Sequence, residues 1–369
     1  MMSSKKFLTK GYGQRAATAC ALMVLVVLLV VPSTGMGASK PTTMAELALY
    51  QGPDREQILI EGAKKEGKVT VYTSNTYIKE YLAKEFEKKY PFIKAELWRG
   101  DSSEHARRVM EETRAEHYVL DVIESDYEVQ AILAREGIIQ EFYSPELRSY
   151  PDSVILKGEK GVFYCALREN YIGLGFNTKL ISPAEVPKNY LDLLDPKWKG
   201  QMCIPGSGTG VNFILNIMDS EGLGRSFIEQ LIRQNVSVQN VSGAALAGMV
   251  VSGEVPLSPS IWDSNVRRSK AKGAPIEWRP LEPVFASVSY AGIAANAPHP
   301  HAAILLQDYL LSKEGQQFLG KGGLHSGRVD IESKAGKFKK NYLDSKYPID
   351  VFRQKWDEAA ELQRQFIKK

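Results

Sequence analysis

Four short stretches of this chain place hydroxyl, amide and carboxylate side chains where an apolar run gives way to a helical one: Thr73-Ser74-Asn75, Asp101-Ser102-Ser103, Glu124-Ser125 and Gly206-Ser207-Gly208-Thr209. The chemistry such turns can do is binding. The first N–H groups of a helix lack partners within it and carry partial positive charge, so they can seat a carboxylate or phosphate. Glycine lets a ligand approach the backbone, and Ser and Thr hydroxyls donate or accept. Ser74, Asn75, Asp101, Ser102, Ser103, Glu124, Ser207, Gly208 and Thr209 are therefore candidate ligand contacts. Ordinary helix capping is the alternative for Ser74, Ser102 and Ser207. Arg168 has the forked guanidinium that grips an anion with two hydrogen bonds, a salt bridge being its alternative. Ser260 lies in the stretch Pro259-Ser260-Ile261-Trp262-Asp263, which reads as a turn, and Trp262 and Tyr290 could supply flat walls for an organic ligand.

Patterns for bond-breaking chemistry are missing. Gly206-Ser207-Gly208-Thr209-Gly210 lacks the spacing of a nucleotide loop, and no Lys-Ser/Thr follows it. No G-x-S-x-G elbow occurs. Arg99-Gly100-Asp101 is a turn. His299 and His301 flank a proline and do not read as a metal pair, while His105 and His117 read as solvated. Cys165, Cys203 and Glu124 could serve a secreted enzyme as nucleophile or base, but none has a recognisable partner at fixed spacing. The expectation is a binding protein without catalytic residues or cofactor.

The elements that would carry these turns alternate. Val69-Thr70-Val71-Tyr72 reads as a strand, followed by a helix with Tyr77, Tyr81, Leu82 and Phe86 on one stripe. A strand over 93–98, a helix over 104–116 and a strand over 118–123 follow. The same order returns at Met202-Cys203-Ile204, a helix starting near Val211, a strand at Ser237-Val238-Gln239, a helix over 243–251 and a strand over 255–258. This is α/β grammar with mostly parallel sheet. Between the two series, 162–168 and 171–177 read as strand-like segments able to link two lobes.

The N-terminus has another use. Lys5, Lys6, Lys10 and Arg15 precede an apolar run from Ala16 to Val31, then small residues to Gly37, with no acidic residue before that point. This is the order of a secretory signal peptide, cut after Gly37, with an uncleaved anchor as the rival. The apolar run is shorter than the roughly 20 residues of a spanning helix, and Cys20 precedes it, where a lipidated cysteine would follow it. Without residues 1–37 the chain has 332 residues with 43 basic and 43 acidic side chains. The apparent basicity belongs to the leader, so nucleic acid is not an expected partner. A chain of that length exceeds what one core usually supports. Cys165 and Cys203 remain, and a disulfide or two buried thiols are equally open.

Five stretches, in this order, carry a resemblance. They are Val69-Thr70-Val71-Tyr72-Thr73-Ser74, Gly173-Leu174-Gly175-Phe176-Asn177-Thr178-Lys179-Leu180 and Tyr190-Leu191-Asp192-Leu193-Leu194-Asp195-Pro196-Lys197-Trp198-Lys199-Gly200, then Ala297-Pro298-His299-Pro300-His301-Ala302-Ala303 and Tyr309-Leu310-Leu311-Ser312-Lys313-Glu314-Gly315-Gln316. Together they resemble the bacterial periplasmic solute-binding proteins of ABC importers, in the group that includes the ferric-iron receptors. The resemblance implies a two-lobed α/β fold of type II with a hinge-linked central cleft. It places 38–166 with 286–330 in lobe one, and 167–285 with 331–369 in lobe two, the C-terminal helix packing across lobe two. It also implies a periplasmic monomer that captures a small molecule and delivers it to an inner-membrane ABC permease; a chemosensory role is equally compatible.

One departure bears on the ligand. The iron receptors resemble one another in two adjacent tyrosines after a strand of lobe two, and the matching stretch here, 253–264, has none; no tyrosine occurs from Ser252 through Ser289. Asp263, with Glu124 or Asp101 from the facing lobe, would make a poor ferric site. The expected ligand is therefore an organic anion or phosphonate-like solute, with ferric iron or an iron chelate as the alternative.

Overall fold

Val69, Val71 and Tyr72 are flanked by Thr70 and Thr73, short enough to be covered on both faces, and the strand Lys68–Thr73 is buried from its second residue onward. Such burial is what a parallel strand under helices requires. In the computed structural model, which describes residues 40–366 other than 76, 79–82, 101, 333 and 343–345, this strand runs parallel between Lys94–Arg99 and Val122–Asp126. The leader expected over 1–37 lies outside the described residues, as do Asp101 and the side chain of Ser103. Helices Arg55–Glu66, Ser102–Arg114, Tyr127–Arg135 and Pro300–Leu311 belong to the same half of the chain.

The third strand begins later than the pattern predicts, at Val122. Asp121 is the reason. Its buried carboxylate accepts from the Thr70 N–H at 2.7 Å and from His299 N and Nδ1 at 2.8 Å each. That role absorbs His299, while His301 Nδ1 is 2.6 Å from Glu66 Oε1. The two histidines hold separate carboxylates.

Two long strands join the halves. The segments read separately as 162–168 and 171–177 form one strand, Val162–Asn177, antiparallel to Val284–Ala294. One apolar core gathers residues from Leu47 to Leu167 and from Val288 to Leu319. Another gathers Ile172 to Phe285 with Phe352 to Phe366. The chain thus leaves the first core between Leu167 and Ile172 and returns between Phe285 and Val288, so both strands pass continuously from core to core.

The second core holds the parallel pair Cys203–Pro205 and Ser237–Gln239, with helices Gly208–Asp219, Gly224–Arg233 and Ile349–Gln365. Here a turn expectation fails. Pro259 to Trp262 continue the strand Leu257–Trp262, antiparallel to the long strand. The ladder shifts register between Gly173 and Gly175, which is where Pro259 sits. A bulge is the place in a sheet that tolerates a residue without an N–H. Cys165 and Cys203 are free thiols, buried in different clusters.

Candidate functional site

One face of the crossing strands gathers an arginine, an asparagine and two serines. Register places Arg168 opposite Ser289 and Asn170 opposite Ser287, and opposed residues of an antiparallel pair share a face. Ser287 lines a cavity of about 730 Å³ between the two cores, so this is the face turned to the cleft. Asn170 Oδ1 is buried there without a hydrogen-bond partner among the described residues.

Arg168 is held from behind. Its Nε and Nη2 each lie 3.1 Å from Glu124 Oε1, and Nη2 also donates to Ser74 Oγ at 3.1 Å. Nη1 has no partner among the described residues. Glu124 is fully buried and accepts further from Thr73 Oγ1 at 2.7 Å and Ser74 N at 2.8 Å. Burial would raise its carboxyl, but the Arg168 charge and the Thr73 and Ser74 donors outweigh it and hold the carboxyl below its ordinary range. Glu124 is therefore an orienting counter-ion, with no face left for solute. Ser74 is engaged in the same network. Asn75 Oδ1 accepts from Tyr77 N at 2.8 Å and Ile78 N at 3.3 Å.

Ser102, at the next turn, donates to Asp126, whose Oδ1 caps Val129 N at 3.2 Å. Burial raises the Asp126 carboxyl, and the bonds from Ser102 and Val129 offset this only in part. Both residues line the cavity, as do Tyr127 from the first core and Gly208 and Asn212 from the helix Gly208–Asp219.

That helix begins with a tight turn. A side chain at Gly210 would place its Cβ 2.0 Å from the Pro205 carbonyl oxygen, so glycine is required; at Gly208 the nearest atom to such a Cβ, in the Trp356 ring, is 3.5 Å away, which leaves room. Ser207 sits at the N-cap in extended conformation without making the cap bond. Its Oγ is buried and has no partner among the described residues. Thr209 Oγ1 accepts from Trp262 Nε1 at 3.1 Å, and Thr209 O from Ser260 Oγ at 3.3 Å. Ser260 is fully buried, so these two hold the turn, and Trp262 is pinned beside it.

Other expectations change. Tyr290, read as a wall, is 1% exposed in the first core with its ring against Tyr164. His105, read as solvated, is buried and lies 3.1 Å from Ser125 Oγ. Asp263 accepts from Tyr171 N at 3.1 Å, Arg267 Nη1 at 2.8 Å and His325 Nε2, 2.7 Å away. It shares no partner with Glu124 among the described residues. Among the described residues no group of three or more His, Cys, Asp or Glu is placed to hold a metal ion.

Asn212, Ser287, Tyr127 and Trp356 line the cavity and Asn170 shares the strand face of Ser287, but the sequence alone singles out none of them. Asn170 stood two positions from Arg168, and alternation along a strand was the signal that could have found it.

A family model described as bacterial extracellular solute-binding protein matches residues 120–344. A Haemophilus influenzae protein described as uncharacterized is 26% identical over 271 residues, 71% of this chain and 78% of that one. Among solved structures, iron-bound HitA from Pseudomonas aeruginosa matches with a TM-score of 0.66 and 20% identity, over 81% of this chain and 99% of that one. AfuA from Actinobacillus pleuropneumoniae, with fructose-6-phosphate bound, matches with a TM-score of 0.64 and 21% identity, over 80% and 99%. The shared architecture is the two-lobed type II fold of periplasmic binding proteins.

Proposed function

We propose that this chain, which belongs to the bacterial extracellular solute-binding protein family, captures a small organic anion in the cleft between its two cores. It would act in the periplasm, as a monomer, and hand the solute to an inner-membrane ABC permease. The lobes on this reading are 38–166 with 286–330 and 167–285 with 331–369, hinged where the two long strands cross. The chain does no chemistry on what it binds.

What supports the anion is one arrangement. Arg168 is fixed by a buried carboxylate, keeps Nη1 unpartnered, and shares its strand face with Asn170 and Ser287. A helix N-terminus reaches the cavity that Ser287 lines through Gly208, and the neighbouring Ser207 hydroxyl is buried without a partner among the described residues. The strand face that carries the guanidinium meets the cavity at Ser287 and the helix N-terminus meets it at Gly208, an arrangement that attracts negative charge from two sides. Bare ferric iron fits less well, since residues 252–289 hold no tyrosine and Asp263 already has three partners.

Isothermal calorimetry with the anion recovered from native protein tests the seat. Ser207→Ala and Thr209→Val are each expected to weaken binding by about 1–3 kcal/mol. Thr209→Val has the larger expected effect, because it also strands the Trp262 N–H. Wild-type affinity in the double variant would place the seat elsewhere.

A further inference from the structure

The cavity continues past the helix N-terminus along a wall of aromatic rings. Trp356, on the helix Ile349–Gln365, stands within contact distance of the space beside Gly208. Phe352, one turn earlier, lies 6.1 Å from it at 32°. From the facing core Tyr127 meets Phe352 edge-on, with centroids 5.6 Å apart at 74°. Tyr127 is fixed in turn by its hydroxyl, which donates to Tyr347 O at 2.7 Å. All three rings line the same cavity as Gly208 and Ser287.

Trp356 differs from Trp262 and Trp278. Trp262 Nε1 donates to Thr209 and Trp278 Nε1 to Ile261 O. Trp356 Nε1 donates to nothing among the described residues, and its ring is only half-buried. The ring packs on the second core and also lines the cavity. The volume points the same way. About 730 Å³ is far more than a bare ion or inorganic phosphate fills, and falls in the range of pockets for organic ligands, roughly 300–1,000 Å³.

We infer that this part of the cleft is a ring-binding annexe: the solute carries, beyond its anionic group, a flat aromatic or heteroaromatic body that stacks on Trp356. The inference rests on the anion reading for the solute's other end. Aromatic pairs gain from offset or edge geometry in addition to the area they bury.

Two kinds of probe separate the annexe from the anion seat. Calorimetry would compare phenylphosphonate with methylphosphonate, the same head without the ring. Fluorine NMR would follow line broadening of 5-fluoroindole, a ring without the head. Phenylphosphonate is expected to bind about tenfold tighter or better, and fluoroindole to broaden. Trp356→Ala should abolish both effects and leave methylphosphonate affinity unchanged, while Trp356→Phe, which keeps a ring and the packing, restores them in part. If neither phosphonate binds but Trp356-dependent broadening remains, the anion reading fails and the annexe stands. Phosphonates of equal affinity, or fluoroindole broadening indifferent to Trp356, would overturn it.

Discussion

Glu124→Ala is expected to lower the unfolding free energy by about 3–5 kcal/mol in urea denaturation, because it leaves a largely buried guanidinium without its counter-ion. The carboxylate is fully buried and takes hydrogen bonds from Thr73, Ser74 and Arg168. Glu124→Gln keeps the shape and an acceptor, so its loss should fall between wild type and alanine. The pH dependence has a definite sign. The folded carboxyl lies below its ordinary value, so its contribution is complete above that ordinary value and disappears as pH falls through the lowered one. The gap between wild type and Glu124→Gln should therefore be constant near neutrality and close in acid, below the ordinary carboxylate range. A gap that widens toward acid would mean that the buried group is neutral.

Arg168→Met should weaken anion binding by about 2–5 kcal/mol, a loss of roughly thirtyfold to several thousandfold. The same change also removes the partner of Glu124, so stability must fall with it. The double variant Arg168→Met, Glu124→Gln separates the two roles. With no lone charge left inside, it should recover much of the stability while affinity stays low. Arg168→Lys keeps the charge but cannot reproduce the fork that holds Glu124 and Ser74 together, so it should restore only part of either property. Undiminished affinity in Arg168→Met would reduce this residue to a structural ion pair.

The strand-to-helix grammar was readable because it is local. Alternation and capping residues marked the turns after Thr73, Arg99 and Pro205; helices start at Ser102 and Gly208 after the second and third, and the helix Ala83–Lys89 follows the first. The crossing was readable too, since few segments of this chain stay strand-like as long as 162–177. What escaped depends on partners distant in sequence. Pro259 reads as a turn until the bulge opposite Gly173 and Gly175 accommodates it. Asp121 reads as part of a strand until His299, 178 positions away, takes its carboxylate. Tyr290 and Trp356 have similar aromatic character in sequence, but one fills the first core and the other edges the cavity. A residue's facing direction on a core-to-core strand or a terminal helix is set by what packs behind it. Glu124 shows the same limit in its chemistry: a carboxylate at a strand end looks like a ligand until its two oxygens are found committed to Arg168, Thr73 and Ser74.

Native mass spectrometry of the protein purified from its own host bears most directly on solute capture in the cleft. The expected spectrum contains a one-to-one complex with an organic anion that denaturation releases intact, and that complex disappears in Arg168→Met. A mass increment of a single iron ion, or an adduct equally abundant in the variant, would contradict the account.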